Sequence, residues 1–310
     1  MEIAILIPCY NEGSSIQQVV NDFKVQLPDA KIYVYDNNST DDTIAKATEA
    51  GAIIGREFIQ GKANVVRRMF REIEADIYIM VDGDNTYPAS EVHKLLDPVM
   101  DGGYFMAIGD RHSNGTYASE NKRAFHNLGN NMVKFLINRL FNSRLNDIMT
   151  GYRVFNRYFV KNYPVLCQGF ELETEMSIFA LNNKLAIKEI PITFQDRAEG
   201  SYSKLNTFSD GRKVILTIFN LFRHYRPFFF FSIVALTGIL LSLLIGYPVI
   251  SEYIQYKYIY KVPSAILASG LMVMSIIVFS IGLILDTISI LDKKNFQIEM
   301  NKAYSSHYKK

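Results

Sequence analysis

The chain has 310 residues and a net charge of +2, from 33 Lys and Arg against 31 Asp and Glu. This near balance gives no electrostatic reason to expect nucleic-acid binding. Two cysteines, Cys9 and Cys167, are too few for a disulfide framework and favour a reducing compartment. The opening Met1–Pro8 has no basic stretch and only a short apolar run, so we expect a first strand there and not a signal peptide.

The first 205 residues alternate short apolar runs with helical patterns. Ser14 and Gln17 have the spacing of a capping box for a first helix, and 89–100 predicts a later one. Runs rich in β-branched and aromatic residues predict four strands: Ile3–Ile7, Lys31–Tyr35, Ile77–Val81 and Tyr104–Ile108. This alternation predicts an α/β domain with a mostly parallel sheet covered by helices on both faces.

Polar residues follow each predicted strand. In sheets of this class, ligands bind beyond the carboxyl ends of the strands. One acidic strand end could merely cap the next helix, but four on one edge predict a ligand site. The four segments are Pro8-Cys9-Tyr10-Asn11-Glu12, Asp36-Asn37-Asn38-Ser39, Asp82-Gly83-Asp84 and Gly109-Asp110-Arg111.

The segment Asp82-Gly83-Asp84 suits a metal ion. Two carboxylates separated by a glycine can converge on one hard cation, and Mg²⁺ or Mn²⁺ would accept them together with diphosphate oxygens and waters. The alternative for this tripeptide taken alone is an ordinary turn.

Together these segments resemble the family-2 glycosyltransferases of the GT-A fold. Within that family they are most similar to the polyprenyl-phosphate sugar synthases, such as dolichyl-phosphate mannose synthase and the bacterial undecaprenyl-phosphate glycosyltransferases. Besides the four strand ends, the resemblance is carried by Thr40-Asp41, Gly61-Lys62, Thr150-Gly151-Tyr152-Arg153 and Arg197-Ala198-Glu199-Gly200-Ser201-Tyr202-Ser203-Lys204. It implies inverting transfer of a hexose or N-acetylhexosamine from a UDP- or GDP-linked donor to polyprenyl phosphate, for later cell-surface glycosylation.

The resemblance also implies roles for the matched residues in the donor half of the site. Asp84, helped by Asp82, would hold Mg²⁺ or Mn²⁺. Many relatives have Gln two residues after the second Asp, where this chain has Thr86, so we expect water ligands in its place. The nucleotide and donor would be held by Pro8, Tyr10, Glu12, Asp36 and Lys62.

Basic residues in or near the matched motifs suit an anionic acceptor, because guanidinium groups match phosphate oxygens. Arg111 and Arg123 are expected to contact the lipid phosphate. The resemblance extends the acceptor and lid set to Arg153, Arg197, Ser203 and Lys204, and the segment 197–204 has the composition of a loop that closes over the diphosphate. Ordinary surface charge is the alternative for each of these residues.

Carboxylates near the end of the domain raise the question of a catalytic base. Relatives often place their proposed catalytic carboxylate at the position of Asp147. A phosphate monoester is already mostly dianionic at neutral pH, so we interpret Asp147 as a positioning or base residue. It completes a predicted catalytic set with Asp84, Arg111 and Arg123. A helix terminus accounts for the acidic cluster Glu171, Glu173 and Glu175, of which Glu173 and Glu175 are worth testing.

Two uncharged stretches, 228–250 and about 264–285, are long enough to span a bilayer. The basic residues before the first stretch and after the second outnumber the two lysines of the 251–262 loop between them. This difference predicts that both termini and the domain face the cytoplasm. Residues 207–226 mix apolar and basic residues at helical spacing and predict an interfacial helix, against a plain connecting helix. The predicted organisation is a GT-A domain (1–205), a juxtamembrane amphipathic helix (206–227), a two-helix transmembrane anchor (228–291) and a cytoplasmic tail (292–310) in the plasma membrane.

Several other functions are alternatives to this one. A processive polysaccharide synthase would carry a Gln-x-x-Arg-Trp motif, and this chain has no Trp. A sugar-phosphate nucleotidyltransferase would show a Gly-rich loop after the first strand. A glycosyltransferase with a non-lipid acceptor and a non-catalytic scaffold that binds nucleotide sugar stay as alternatives, and a homo-oligomer is compatible with the sequence.

Overall fold

The computed structural model describes residues 1–113, 124–167, 172–195, 219, 220 and 222–307, with the backbone alone for 124–130 and 303–307. The chain divides into two compact units, and the second comprises Phe208–Lys302. Most of the predicted amphipathic helix, 206–218, lies outside the described residues. In the first unit the described strands are β1 (Ile3–Cys9), β2 (Lys31–Asp36), β3 (Ile53–Arg56), β4 (Ile77–Met80), β5 (Met106–Asp110), β6 (Arg153–Asn156) and β7 (Ile187–Pro191).

Helices connect these strands, as the alternating pattern predicts. They are α1 (Ile16–Gln26), α2 (Thr43–Glu49), α3 (Lys62–Glu72), α4 (Val92–Met100, preceded by a 3₁₀ turn at Ala89–Glu91), α5 (Ala124–Phe141), α6 (Arg157–Asn162) and α7 (Leu172–Asn182). The second unit contains α8 (Pro227–Tyr256) and, as far as Lys302, α9 (Val262–His307). All four predicted strands are confirmed with small shifts of their ends.

One seven-stranded sheet has the order β3-β2-β1-β4-β6-β5-β7. Neighbouring strands run parallel except at β6, which is antiparallel to both β4 and β5. The predicted mostly parallel α/β fold is therefore confirmed, and β3, β6 and β7 are additions to the prediction. Because β6 runs in the opposite direction, its first residue, Arg153, lies opposite Met80 near the end of β4.

Helix α1 shows how the core forms. Its buried residues Ile16, Val19, Val20 and Phe23 recur at helical spacing and join the cluster that contains the apolar side chains of β1. Pro28 disfavours helical backbone at Leu27, where the helix ends. Full burial of a side chain such as Phe23 contributes about 1.5–3 kcal/mol, and its ring packs edge-on against Tyr152.

The start of α1 differs from the sequence-based prediction. The Ser14–Gln17 capping box is wrong, because the residue before the helix is Ser15 and no side chain caps it. The Ser15 hydroxyl donates instead to the Gly83 carbonyl at 2.6 Å. The serine next to the expected cap therefore fixes the loop after β4.

Among its described residues, the second unit has two helices that are long and apolar enough to cross a membrane, Pro227–Tyr256 and Val262–Lys302. Their apolar side chains are largely exposed, as at Leu244 and Ile266, whereas a helix in a soluble core covers such residues. The helices approach closely at small residues: the Ser242 hydroxyl donates to the Ala268 carbonyl at 2.8 Å. Small residues at such contacts are typical of helix pairs in membranes.

Candidate active site

The loops after β1 and β2 are tied together at the carboxyl edge of the sheet. The two strands are in register up to Cys9 and Asp36, so both loops start side by side. The Asn11 side-chain oxygen accepts from the Thr40 backbone N–H at 2.8 Å, and the Asn11 N–H donates to the Ser39 hydroxyl at 2.9 Å. The Asp36 carboxylate, 3% exposed, accepts from the Ser39 N–H. The rim is thus preformed.

The predicted nucleotide-binding residues share this rim. Pro8 lies near the end of β1 beside Tyr35 of β2. Tyr10 exposes 36% of its surface, and Glu12 is half-buried, with its carbonyl accepting from the Ile16 N–H to start α1. Together with Asp36 these residues occupy one end of two adjacent strands, as expected. Their contact with a nucleotide stays a prediction.

Asn37 is a structural residue that sequence reasoning missed. Its side-chain amide donates to the carbonyls of Glu57 and Ile59 at 2.8 and 2.9 Å, and its oxygen accepts from the Gly61 N–H at 2.7 Å. Gly61 has φ of 131°, a conformation that side-chain-bearing residues rarely adopt. Buried Asn37 therefore shapes the loop that delivers Lys62 to the start of α3.

Lys62 joins two carboxylates from distant parts of the chain. Its Nζ lies 2.5 Å from Asp82 Oδ1 and 2.6 Å from Glu173 Oε1. Burial by itself lowers the pKa of Lys62, but the two carboxylates outweigh it and the net direction is upward. The ammonium is therefore charged and held at the predicted metal motif. The sequence placed Lys62 near the donor but gave no sign of its link to Glu173.

The Asp82-Gly83-Asp84 turn is packed tightly on both sides. A Cβ added at Gly151 would lie 2.5 Å from Asp82 Oδ2, and one added at Gly83 would lie 2.8 Å from the Cys9 sulfur. The Gly151 N–H donates to the Tyr87 hydroxyl at 3.0 Å. These contacts explain why glycine stands at both positions.

Asp84 is enclosed and already held on one side. It is 6% exposed, and its Oδ1 accepts from the Thr86 hydroxyl at 2.7 Å and from the Thr86 N–H at 3.2 Å. Among the described residues, no group of three or more His, Cys, Asp and Glu side chains is placed to hold a metal ion. Two carboxylates nevertheless fit Mg²⁺ or Mn²⁺, which commonly keep waters and take substrate phosphate oxygens.

Asp147 and Arg111 form a bidentate salt bridge. Arg111 Nε lies 2.6 Å from Asp147 Oδ2, and Nη2 lies 3.0 Å from Oδ1. Burial raises the pKa of Asp147, whose side chain is 1% exposed, but the Arg111 guanidinium outweighs burial and lowers the pKa overall. An ionised carboxylate engaged through both oxygens is a poor proton acceptor. Of the two expected roles, the geometry favours positioning.

Glu189 supports this pair from the edge strand β7. Its carboxylate accepts from the Asn146 N–H at 2.8 Å and from the Asp147 N–H at 2.6 Å. Burial raises the pKa of Glu189, and these two N–H groups oppose the rise. The turn that carries Asp147 is therefore anchored by a residue that sequence reasoning missed, since an isolated Glu in an edge strand carries no motif.

A small pocket opens beside the Arg111–Asp147 pair. It is lined by Arg111, His112, Asn131, Lys134, Asn146 and Asp147, followed by Ile148 and Met149. Arg111 and Lys134 give this pocket two cations against the single carboxylate of Asp147, and guanidinium and ammonium groups suit a phosphate. Lys134 and Asn131 are three residues apart on α5 and so share one helix face. Both were missed from the sequence, where Lys134 is one of many surface lysines.

The structure corrects the role predicted for Arg153. It was predicted to contact the acceptor phosphate, but its side chain is fully buried. Its guanidinium donates to the carbonyls of Thr150 and Ile148 at 2.9 and 2.6 Å and to the Ser177 hydroxyl at 2.9 Å. Burial lowers the pKa of Arg153. The residue therefore stabilises the turn before β6 and does not reach the rim.

Four other predicted acceptor and lid residues, Arg123, Arg197, Ser203 and Lys204, lie outside the described residues, as does Glu171. The described part of the site thus brings together the donor rim, the Asp82-Gly83-Asp84 turn and the Arg111 pocket. All three are positioned by loops at the carboxyl ends of β1, β2, β4 and β5 or by the start of the antiparallel β6.

Comparison with known proteins agrees with this geometry. Residues 4–163 match the family model described as Glycosyl transferase family 2. Glycosyltransferase AglJ of Haloferax volcanii is 30% identical over 85% of this chain and 87% of its own length. Dolichol-phosphate mannosyltransferase of Pyrococcus furiosus is 29% identical over 78% of this chain and 70% of its own length.

A solved structure shares the fold. It is glucosyl-3-phosphoglycerate synthase from Mycobacterium tuberculosis in complex with Mn²⁺, UDP-glucose and glycerol 3-phosphate. The TM-score is 0.58 at 20% identity, covering 71% of this chain and 79% of that one. With the family model and AglJ, the predicted resemblance is confirmed: the chain belongs to glycosyl transferase family 2 and is a glycosyltransferase.

Proposed function

We propose that this glycosyltransferase moves a sugar from a nucleotide-sugar donor to the phosphate of a polyprenyl-phosphate lipid, with inversion at the anomeric carbon. The observation that carries the proposal is the cationic pocket at Arg111 and Lys134, at the same edge of the sheet as the Asp82-Gly83-Asp84 turn. The name of the Pyrococcus furiosus relative indicates a lipid phosphate acceptor for that protein. The two long apolar helices favour a lipid over a water-soluble acceptor here.

The donor would lie along the rim formed by the loops after β1 and β2. Its diphosphate would point toward Asp84, where Mg²⁺ or Mn²⁺ held with the help of Asp82 would neutralise the leaving group. The Mycobacterium tuberculosis neighbour was solved with Mn²⁺ and UDP-glucose. The rim of Asn11, Asp36 and Ser39 is linked by hydrogen bonds, which favours binding without large rearrangement.

Acceptor and donor would react in a single displacement. An oxygen of the lipid phosphate attacks the anomeric carbon as the bond from that carbon to the diphosphate oxygen breaks, and the nucleoside diphosphate leaves. The phosphate dianion needs no proton removed. Arg111 would orient the phosphate, and Asp147 would fix the guanidinium of Arg111. The phosphate would then react from a bound, oriented position instead of by a random collision with the donor. In this mechanism Asp147 does not act as a general base.

We also infer that the enzyme lies in the plasma membrane with both termini in the cytoplasm. The inference is supported by the cationic flanks of α8 and α9 and by the short connection between them, which has only Lys257 and Lys261. A single cysteine placed at Ser251 or Tyr258 should react with an impermeant maleimide added to intact cells. Labelling that requires inverted vesicles would reverse the orientation.

The function is tested with the full chain in detergent, a panel of UDP- and GDP-sugars, and undecaprenyl phosphate. We expect one sugar to appear on the lipid, identified by mass spectrometry, with NMR showing a β-linked product from an α-linked donor. Asp84→Asn is the inactive control. Transfer to a soluble phosphate such as 3-phosphoglycerate, with none to lipid, would show a non-lipid acceptor. Retained configuration would refute single displacement.

A further inference from the structure

Lys62, Asp82 and Glu173 bring three separate segments to one point. Lys62 begins α3, Asp82 follows β4, and Glu173 lies in the first turn of α7. The side chain of Glu173 is 6% exposed, against 17% for Lys62 and 29% for Asp82. Glu173 has no part in the donor or acceptor contacts described above. Its carboxylate nevertheless reaches the metal motif through a single lysine.

A helix terminus alone does not explain this contact. An acidic residue in a first helical turn is favourable wherever its side chain points. Glu175, in the same turn, points elsewhere and accepts from the Tyr163 hydroxyl at 2.9 Å and the Cys167 N–H at 3.1 Å. Of these two residues, only Glu173 points toward Lys62. Its carboxylate accepts a charge-assisted hydrogen bond from the ammonium at 2.6 Å.

The charges at this point are unequal. Lys62 supplies one positive charge, its partners Asp82 and Glu173 supply two negative ones, and Asp84, two residues after Asp82 in the chain, supplies a third, so these four side chains have a net charge of −2. Lys62 is shared between Asp82 and Glu173 at nearly equal distances of 2.5 and 2.6 Å. Without Glu173, the ammonium would pair with Asp82 alone and would hold that carboxylate more tightly against a competing cation.

We propose that Glu173 is a positioning residue for the donor half of the site: by sharing the Lys62 ammonium, it keeps Asp82 available to the divalent cation that accompanies the donor diphosphate. This role rests on the proposed function, in which Asp82 and Asp84 hold that cation. When the cation takes Asp82, Glu173 retains Lys62 in place beside the donor. Glu173 thus acts through Lys62 and touches no substrate.

Binding of Mn²⁺ measures this role without turnover. The full chain in detergent is titrated with Mn²⁺ in the presence of UDP, and in a second arm GDP, while the electron paramagnetic resonance signal reports free Mn²⁺. For Glu173→Gln we expect the Kd of Mn²⁺ to rise about tenfold, because Lys62 then pairs with Asp82 alone and competes with the cation for that carboxylate. Glu173→Asp keeps the charge and should restore part of the affinity.

A double variant separates action through Lys62 from a general effect of charge. In a Lys62→Met background, Glu173→Gln should change the Kd of Mn²⁺ by less than about threefold, since no ammonium remains to be shared. In turnover, Glu173→Gln should raise KM for the nucleotide sugar and leave KM for the lipid unchanged. Glu175→Gln is the matched control, with wild-type Mn²⁺ binding.

The outcomes are distinct. If the wild type binds Mn²⁺ in the presence of the nucleotide and Glu173→Gln binds it with the same Kd, the role of Glu173 is overturned and the proposed function is left intact. A tenfold effect that persists in the Lys62→Met background would also overturn it, because the carboxylate would then act without Lys62. Absence of Mn²⁺ binding by the wild type with either nucleotide would overturn both proposals.

Discussion

Arg111 holds both carboxylate oxygens of Asp147, at 2.6 and 3.0 Å, and so the residue suggested as a base is the partner of the residue proposed to hold the acceptor phosphate. Asp147 is the fixed member of this pair, because Glu189 anchors the turn that carries it. Arg111 also lies over the Phe194 ring, with 5.5 Å from the guanidinium carbon to the ring centroid. Its side chain is therefore held before any substrate arrives.

Asp147→Asn tests this relationship by removing charge at nearly constant shape. We expect KM for the lipid phosphate to rise about tenfold and KM for the nucleotide sugar to change little, because Arg111 loses its anchor. Activity should fall but persist, since no proton is abstracted. Loss of all activity, with a pH–rate profile that loses its acidic limb, would instead identify a general base.

The same variant has a pH signature in stability. The pKa of Asp147 is lower in the folded chain than its ordinary value, so the pair stabilises the fold above the unfolded pKa of about 3.9 and this contribution is lost as pH falls through the folded pKa. At pH 7, Asp147→Asn should lower the free energy of unfolding by about 3 kcal/mol. Urea denaturation should show the difference from wild type shrinking below about pH 4.

Asp84→Asn tests metal dependence. We expect activity to fall about a hundredfold or more and excess chelator to abolish wild-type transfer, since the leaving diphosphate would lose its neutralising charge. Thr86→Val is the matched control, because it removes the hydroxyl that donates to Asp84 and keeps the carboxylate. That change should cost less than about tenfold. Full turnover in chelator would contradict a metal-dependent reaction.

Gly151→Ala tests the packing behind Asp82. The added methyl would lie 2.5 Å from Asp82 Oδ2 and force that carboxylate to move. We expect a loss of about a hundredfold in kcat/KM, the scale of a misplacement of about 1 Å in an active site. Gly103→Ala is the control, since its methyl would meet only the Pro98 carbonyl at 3.9 Å. Equal activity of the two variants would show that Asp82 tolerates displacement.

Arg153→Met tests the corrected role of the buried arginine. Its removal leaves the carbonyls of Thr150 and Ile148 without their donor, and we expect the free energy of unfolding to fall by about 3–5 kcal/mol. KM for the lipid should not change in the protein that still folds. Exposed Arg139→Met is the control for loss of one positive charge. A stable variant with weakened lipid use would restore the acceptor role.

Gly282→Ala tests the contact between the two apolar helices. A Cβ at this position would lie 2.7 Å from the Cβ of Phe231, which cannot move without its helix. Thermal unfolding in detergent should show destabilisation of about 1–3 kcal/mol. Gly270→Ala is the control on the same helix, because nothing lies within 4 Å of its added methyl. Identical melting of both variants would show that the helices separate at little cost.

The sequence predicts most of the donor half and less of the acceptor half, for a physical reason. In the donor half, the strands β1, β2 and β4 are buried apolar runs, and each ligand-binding loop follows its strand directly in the chain. The pattern that predicts the strand therefore also locates the loop. β6 is only Arg153–Asn156, too short for a periodic signal, and its reversed direction is set by its two neighbours. Arg153 was predicted to contact the acceptor phosphate, and its burial is not visible in the sequence because it depends on carbonyls that only the folded turn supplies.

Long-range partners explain the remaining differences. Lys62 is 111 residues from Glu173, and Asp147 is 42 residues from Glu189. No local pattern reports such pairs. The capping box at Ser14 matched a local rule, but the helix begins after the adjacent Ser15, whose hydroxyl donates to the Gly83 carbonyl, 68 residues away. Tertiary contacts prevailed over local preference at these positions.

The reversed strand β6 has a consequence for synthesis. Strands β3, β2, β1 and β4 are complete once residue 80 has emerged, whereas β6, the strand that joins β5 to β4, ends at residue 156. At about 5–20 residues per second, the ribosome needs roughly 4–15 s to make the intervening chain. Throughout that time the apolar edge of β4, Ile77–Met80, lacks its second neighbour and can pair with another nascent chain. A chaperone that shields this edge until β6 arrives would protect the finished half of the domain.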